Sequence, residues 1–290
     1  LAHGFQYLSE VRLDELEPAI DLIREGALAL DLPLRTVEIE FGPSQVEFTF
    51  SPLVGKESAD LMLLFRSATK QICKRSGYHA SFMCRPGLQN VFASGWHLHQ
   101  SLVNRSDGKN AFASDKQSLP LSNVGSQFVA GILKNADASC IFTTPTINGY
   151  KRYQPESLAP DRILWAKDNR GAMVRVLGSS EDQDSRIENR VGDPGANPYF
   201  YLMSQILSGL DGIEHKLTPP PMTETPYTTD ADRLPQSLIE AADAFDRSSF
   251  YRIKLGDEFV EYLLKIKRNE INRFLSEVTD WEHREYFEIL

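Results

Sequence analysis

No run of apolar residues in this chain approaches the roughly 18–20 needed for a membrane-spanning helix, and no run is rich in lysine or arginine. The formal charge is −9. An acidic chain without a basic patch is a poor match for nucleic acid or an anionic membrane surface, so neither is expected as a partner. Cysteine is scarce: Cys73, Cys84 and Cys140 are odd in number and lack C-x-x-C spacing. That excludes a paired disulfide framework and reads as three small buried residues in a reducing cytoplasm. GxxxxGK[ST] and GxGxxG are both missing, which removes the P-loop and dinucleotide-fold readings. The opening LAHGFQYLSE has neither the basic start nor the apolar core of a signal peptide. It begins at Leu1 rather than Met, which suggests a processed or shortened chain.

What is present is ordinary globular material: 290 residues, 41% hydrophobic and 24% charged. Apolar spacing predicts helices over 10–30, over 57–77 ending at Gly77, over 124–139, over 197–216, and near 232–246 and 256–276. VEIEF and QVEFTF alternate around Gly42-Pro43-Ser44, a hairpin pattern. YHASFM, SGWHLHQSL, GAMVRVLG and SRIENRV read as further strands. A Pro-rich stretch over 216–230 reads as a linker, with a helical region over 231–290. Antiparallel strands first, then clustered helices, indicate an α+β fold.

The chemistry-bearing residues fall on the strands. His97 and His99 are two apart, so a strand sets both on one face with Trp96 and Leu98 on the other. They line a polar cleft, or they are two separately hydrogen-bonded histidines. Glu38 and Glu40 share one face of the first hairpin strand, and Glu47 lies across the turn. Facing carboxylates repel unless a cation sits between them; the alternative is a solvated polar face. Arg186, Glu188 and Arg190 alternate along a third strand. They form either a surface ion-pair ladder or a metal-binding carboxylate between two oxyanion clamps. Lys151, Arg152, Arg170 and Arg175 add cations nearby in sequence. Carboxylates and a histidine with separated arginines, in an acidic chain, fit divalent metals with a polyphosphate substrate.

Five segments resemble the glutamine synthetase family, in the family's order. EFGPSQVE is similar to HHEVxxGQxE, SGWHLHQS to GSGMHxHxS, NGYKRYQP to NSYKRLVP, DNRGAMVRV to RNRSASIRI, and RIENRVGDPGANPYFYL to RIEVRxPDxxANPYL. The resemblance implies a glutamine synthetase-type catalytic domain over 1–290, a curved antiparallel sheet with flanking helices. It implies ligation of glutamate to an amine through γ-glutamyl phosphate, with ATP and two divalent ions, Mg²⁺ or Mn²⁺. Glu40 and Glu47 would bind one metal, and His97 and Glu188 the other. His99, Arg170, Arg175 and Arg186 would meet nucleotide phosphates. Arg152 would hold the glutamate α-carboxylate, and Arg190, with Arg170, would act on the transferred phosphoryl group. A cytoplasmic homo-oligomeric ring is implied too.

Three departures matter. The family's early Glu-x-Glu strand and its N-terminal β-grasp domain have no counterpart here, so the chain is expected to lack a front part. Counting from Arg152, the family's flap glutamate falls on Leu158, with Glu156 two residues away. The Asn-Gly used for glutamate recognition is Phe92-Ala93. The last two changes resemble the branch that makes γ-glutamyl amides of amines other than ammonia. The expectation is therefore an ATP-dependent ligase joining the glutamate γ-carboxylate to an organic amine. The alternatives are a glutamine synthetase using ammonia, a non-catalytic structural member of the family, or a metal-dependent hydrolase.

Overall fold

The computed structural model describes residues 1–116, 119–154, 157–180 and 182–290. Helix α1 (Glu10–Ala29) leads into a two-stranded antiparallel hairpin, β1 (Leu34–Ile39) and β2 (Val46–Phe50), followed by helix α2 (Glu57–Arg75). Buried Leu16 and Ile20 of α1 pack on Ile39. Ala27 joins Leu61 and Phe65 of α2 beneath the hairpin. The helical apolar spacing read from the sequence thus becomes the face that covers the hairpin.

The second sheet has four short strands in the order β3 (Leu98–Gln100), β6 (Arg186–Asn189), β5 (Val174–Leu177), β4 (Trp165–Lys167). It is antiparallel except for β4 and β5, which run parallel. Helices α3 (Asn123–Lys134), α4 (Ala136–Thr143), α5 (Pro198–Glu214), α6 (Leu238–Arg247), α7 (Ser249–Leu255) and α8 (Asp257–Leu275) gather against it. A short α9 (Asp280–Tyr286) closes the chain. Phe112, Phe128, Phe142, Phe245 and Tyr251 anchor the core with Val174, Val176 and Ile187 of the strands.

Three sequence expectations differ from the structure. Tyr78–Met83, expected as a strand, is irregular, and only Leu98–Gln100 of SGWHLHQSL pairs. Both stretches alternate in polarity, but pairing requires a neighbouring edge, and only β6 supplies one to β3. The helix expected over 124–139 is two helices meeting at Asn135, whose side chain turns back to the Gly131 carbonyl. The Pro-rich segment lies along β4: the Trp165 indole donates to the Pro220 carbonyl at 2.7 Å, and the Thr223 N–H donates to the Trp165 carbonyl. No helix among the described residues is long and apolar enough to cross a membrane.

Helices α3 and α5 touch through backbone. A Cβ added at Gly131 would lie 2.0 Å from the Ser208 carbonyl oxygen, and one at Gly212 would lie 2.0 Å from that of Gln127. The obstacle is main chain, so a methyl group forces the helices apart. Gly131→Ala is expected to lower stability by about 3 kcal/mol, the upper range for overpacking a close contact. A urea midpoint unchanged from the parent would refute this.

Candidate active site

Glu188 is the centre of the second sheet. It sits on the inner strand β6, opposite His99 on β3 and Arg175 on β5. Directly opposed residues share a face, so the sheet brings one imidazole and one guanidinium to this carboxylate. Glu188 is 2% exposed. Arg175 Nη1 donates to Oε2 at 3.1 Å, and Arg190 Nη1 donates to Oε1. His97 Nδ1 stands 3.2 Å from Oε1 and His99 Nε2 stands 3.9 Å away. The two histidines do face one way, while Trp96 turns to the other side and meets Tyr201 edge-on at 5.1 Å.

The surrounding cations are held in place by backbone. Arg152 is buried, and its guanidinium donates to the carbonyls of Val191, Gly192 and Arg190, with Nη2 3.4 Å from His97 Nε2. Gly95 makes room for this, since a Cβ there would come within 2.5 Å of Arg152 Nη2 and 2.7 Å of His97 Nε2. Arg190 Nε donates to the Arg170 carbonyl at 2.8 Å. The Arg170 side chain itself is exposed. Arg186 Nε donates to His99 Nδ1 at 3.2 Å. Burial, then Arg190 and Arg152, pushes His97 well below the usual imidazole range. Burial also lowers His99, against the pull of Glu188. Both shifts favour the neutral ring, in which one nitrogen accepts and the other donates; in His99 the accepting Nδ1 is already taken by Arg186.

The hairpin adds a second acidic group. Glu38 pairs with Glu47 in register, and Glu40 stands at the end of β1. Burial, then Glu40, then Glu38 and Glu188, push the Glu47 carboxyl up to about 7. None of these three hairpin acids forms an ion pair among the described residues. Oxygen donors that repel one another and have no internal cation fit a hard divalent ion. On the sheet side, Glu188 is already paired with Arg190 and with Arg175, which Asp168 also holds. No group of three or more His, Cys, Asp or Glu side chains is closed into a metal cage among the described residues.

Leu158 is 47% exposed and held at φ 59°. Its loop is tied to the site by the Ser157 hydroxyl, which donates to the Arg152 carbonyl at 3.1 Å. Glu156 lies outside the described residues. Ala93 is half-buried beside Phe92.

The sequence reading missed three supporting residues. Gln205 on α5 accepts from Asn189 Nδ2 at 2.7 Å and from Gln100 Nε2 at 3.3 Å, fixing β6 against β3. Arg66 on α2 donates to the carbonyls of Pro194 and Ala196 and lies 5.6 Å from the Trp96 ring centroid. Gln45 bridges the two halves, its Nε2 donating to Ser94 Oγ at 2.8 Å. Only Gln45, inside EFGPSQVE, had a sequence signal. Arg66 and Gln205 are polar positions of long helices, and nothing local marks them.

A family model described as the glutamine synthetase catalytic domain matches residues 2–286. A gamma-glutamylanilide synthase of an Acinetobacter species is 48% identical over 303 residues, covering 100% of this chain and 60% of its own length. A gamma-glutamylethanolamide synthetase of Streptomyces coelicolor is 32% identical, with 94% of this chain and 58% of that protein covered. A solved complex of GmaS with ADP superposes with a TM-score of 0.89 at 25% identity, covering 99% of this chain and 67% of that one. The chain thus spans about 60% of the length of the first of these relatives.

Proposed function

Because the chain belongs to the glutamine synthetase catalytic-domain family, we propose that it is the catalytic part of an ATP-dependent ligase joining the glutamate γ-carboxylate to an organic amine. The observation that carries this reading is the pairing of a cation-lined carboxylate centre, Glu188, with an apolar side chain, Leu158, on the loop attached to Arg152. The names of the two amide synthetases above support it.

In this reaction a γ-carboxylate oxygen of glutamate attacks the γ-phosphorus of ATP, and ADP leaves. The amine nitrogen then attacks the acyl carbon, the C–O bond to phosphate breaks, and the nitrogen loses a proton. Arg175, Arg186, Arg190 and the exposed Arg170 supply the positive charge that phosphoryl transfer requires. His99 meets the nucleotide phosphates. Glu40 and Glu47 would hold one divalent ion, with His97 and Glu188 holding a second once Arg190 yields its place. Bound there, the ions neutralise phosphate charge. Arg152 fixes the shape of the 190–192 backbone and is the candidate for the glutamate α-carboxylate. The reading includes a cytoplasmic homo-oligomer. The unpaired Cys73, Cys84 and Cys140 support the compartment, and exposed Tyr262, Phe274, Leu275, Trp281 and Phe287 near the C-terminus support association.

The choice of amine follows from charge. Ammonium is a cation at neutral pH and must be held and deprotonated before attack. Leu158 cannot pair with it, so ammonium seated beside this loop would give up water without gaining a carboxylate. An apolar amine instead gains about 25 cal/mol per Å² of surface buried. In an ADP-release assay with glutamate and the full-length protein, kcat/KM for a hydrophobic amine is expected to exceed that for ammonium. Leu158→Glu is expected to shift the ratio toward small cationic amines by about ten-fold. A clear preference of the parent for ammonium would reject the organic-amine reading.

A further inference from the structure

An aromatic cluster sits at the edge of the candidate site, and none of the roles assigned above uses it. Phe92 meets Phe5 edge-on, centroids 5.6 Å apart and planes at 89°, and leans on Phe41 at 5.2 Å. Tyr7 stacks flat on Phe41 at 4.5 Å and 7°. These rings are not core. Phe5 is 67% exposed and Phe92 39%.

The cluster is built rather than accidental. Residues 2–8 hook over the hairpin turn. The buried Gln6 donates from Nε2 to the Gly42 carbonyl at 2.8 Å and accepts from the Gly4 N–H at 2.9 Å. The Ala2 N–H donates to Ser44 Oγ, and the Phe5 N–H donates to the Phe41 carbonyl at 2.7 Å. The hook holds Phe5 at φ 58°, a left-handed conformation that is an outlier for a bulky side chain. Such outliers persist only where surrounding contacts enforce them, and they concentrate at ligand sites.

The cluster is also continuous with the reacting centre. The Phe41 N–H points to the Glu40 carboxylate at 3.3 Å. Two residues beyond Phe92, Ser94 is bonded to Gln45, and Gly95 then lies against Arg152 and His97. Open aromatic faces and edges beside a carboxylate group suit a flat apolar ring that carries a primary amine. Offset and edge-to-face contacts favour aromatic over aliphatic partners of equal area. They offer little to ammonium or methylamine, which are too small to reach several rings at once.

We propose that Phe5, Phe41 and Phe92 form the wall that binds the ring of an aromatic primary amine and so set the acceptor class of the enzyme. This rests on the ligase reading and narrows it. Aromatic amines are neutral near pH 7, so the rings bind them without a counter-ion. Phe5, Phe41 and Phe92 are specificity-determining residues, not groups in the phosphoryl step.

The test compares kcat/KM for aniline, methylamine and ammonium in the full-length parent and in Phe92→Leu, Phe92→Ala and Phe5→Leu. The leucine variants keep apolar volume, so the fold is retained while the ring is lost. The aniline-to-ammonium ratio is expected to fall about ten-fold in each, mostly through a higher KM for aniline, with the methylamine-to-ammonium ratio within about two-fold of the parent. An unchanged aniline-to-ammonium ratio in all three overturns the proposal, as does a change in oligomer mass without a change in that ratio. A parent that ligates methylamine and ammonium but not aniline overturns the aromatic wall and leaves the ligase reading standing. A parent that forms no amide with any amine overturns both.

Discussion

Glu188→Gln is expected to cost about 3 kcal/mol of folding stability and to reduce turnover about a thousand-fold, whereas His97→Ala is expected to match the loss of turnover at little cost in stability. The two residues are 3.2 Å apart, yet their surroundings separate these outcomes. Glu188 is the buried carboxylate partner of Arg190 and shares Arg175 with Asp168. Removing one partner of a buried ion pair leaves uncompensated charge, typically a loss of 3–5 kcal/mol. His97 is neutral, since burial and the nearby arginines lower it. Its contacts to Arg152 and Arg190 are long, 3.4 Å each, so its loss unpairs no charge. For turnover both count alike, because electrostatic groups at a phosphoryl centre are commonly worth 10²–10³ in rate, with effects of several kcal/mol where a metal is involved. Urea unfolding beside ADP release separates the two quantities. Near-normal turnover in both variants would dismiss the assignment of this centre.

The second large effect concerns the hairpin acids and has an unusual sign. Glu47 is raised from 4.5 to about 7, by burial and then by Glu40 and Glu38. Between those pH values the folded protein keeps a proton that the unfolded chain has shed. The stability this proton provides is fully present below 4.5 and is lost as pH rises through 7. Glu47→Gln removes the titration. Without divalent metal, the variant is expected to be more stable than the parent by about 2 kcal/mol at about pH 8, and equal to it at about pH 4. Added Mg²⁺ or Mn²⁺ should reverse the order, because only the parent gains a ligand that binds the folded state. Unfolding curves at both pH values, with chelator and with metal, check each part. A variant less stable than the parent in chelator at alkaline pH would show that the hairpin acids do not repel.

The legible parts of this molecule were those in which a short segment contains its own instruction. The Gly42-Pro43-Ser44 turn fixes a hairpin, and the hairpin fixes Glu38 opposite Glu47. His97 and His99 turn to the same carboxylate because they are two apart in extended chain, although only His99 lies on β3. Asn197 and Pro198 announce α5: the Asn197 side chain accepts from the N–H groups of Tyr199 and Phe200. What was not legible depends on partners far away in the chain. Tyr78–Met83 has strand-like alternation but no neighbouring edge. β4 has three residues and is defined by Val174–Val176 alongside it. The burial of Arg152 could not be seen in NGYKR, because the carbonyls that receive it belong to residues 190–192. Phe5, far from Phe92 in sequence, showed nothing of the aromatic wall until the hook brought them together.

Phe5, Leu8, Ser44 and Asn90 all have φ between 53° and 58°, and they gather where residues 2–8 cross the hairpin turn and the 90–94 loop. Each left-handed residue without a glycine's freedom raises the local energy by about 1–2 kcal/mol, and only a few hydrogen bonds hold the crossing shut. Regions of this kind open well below the free energy of global unfolding. The amides of Phe5 and Leu8 should therefore exchange with solvent far sooner than those of β5 and β6, and a molecule seated against Phe5 would slow that exchange first. The hook is in this sense a soft clasp, fastened by what it holds.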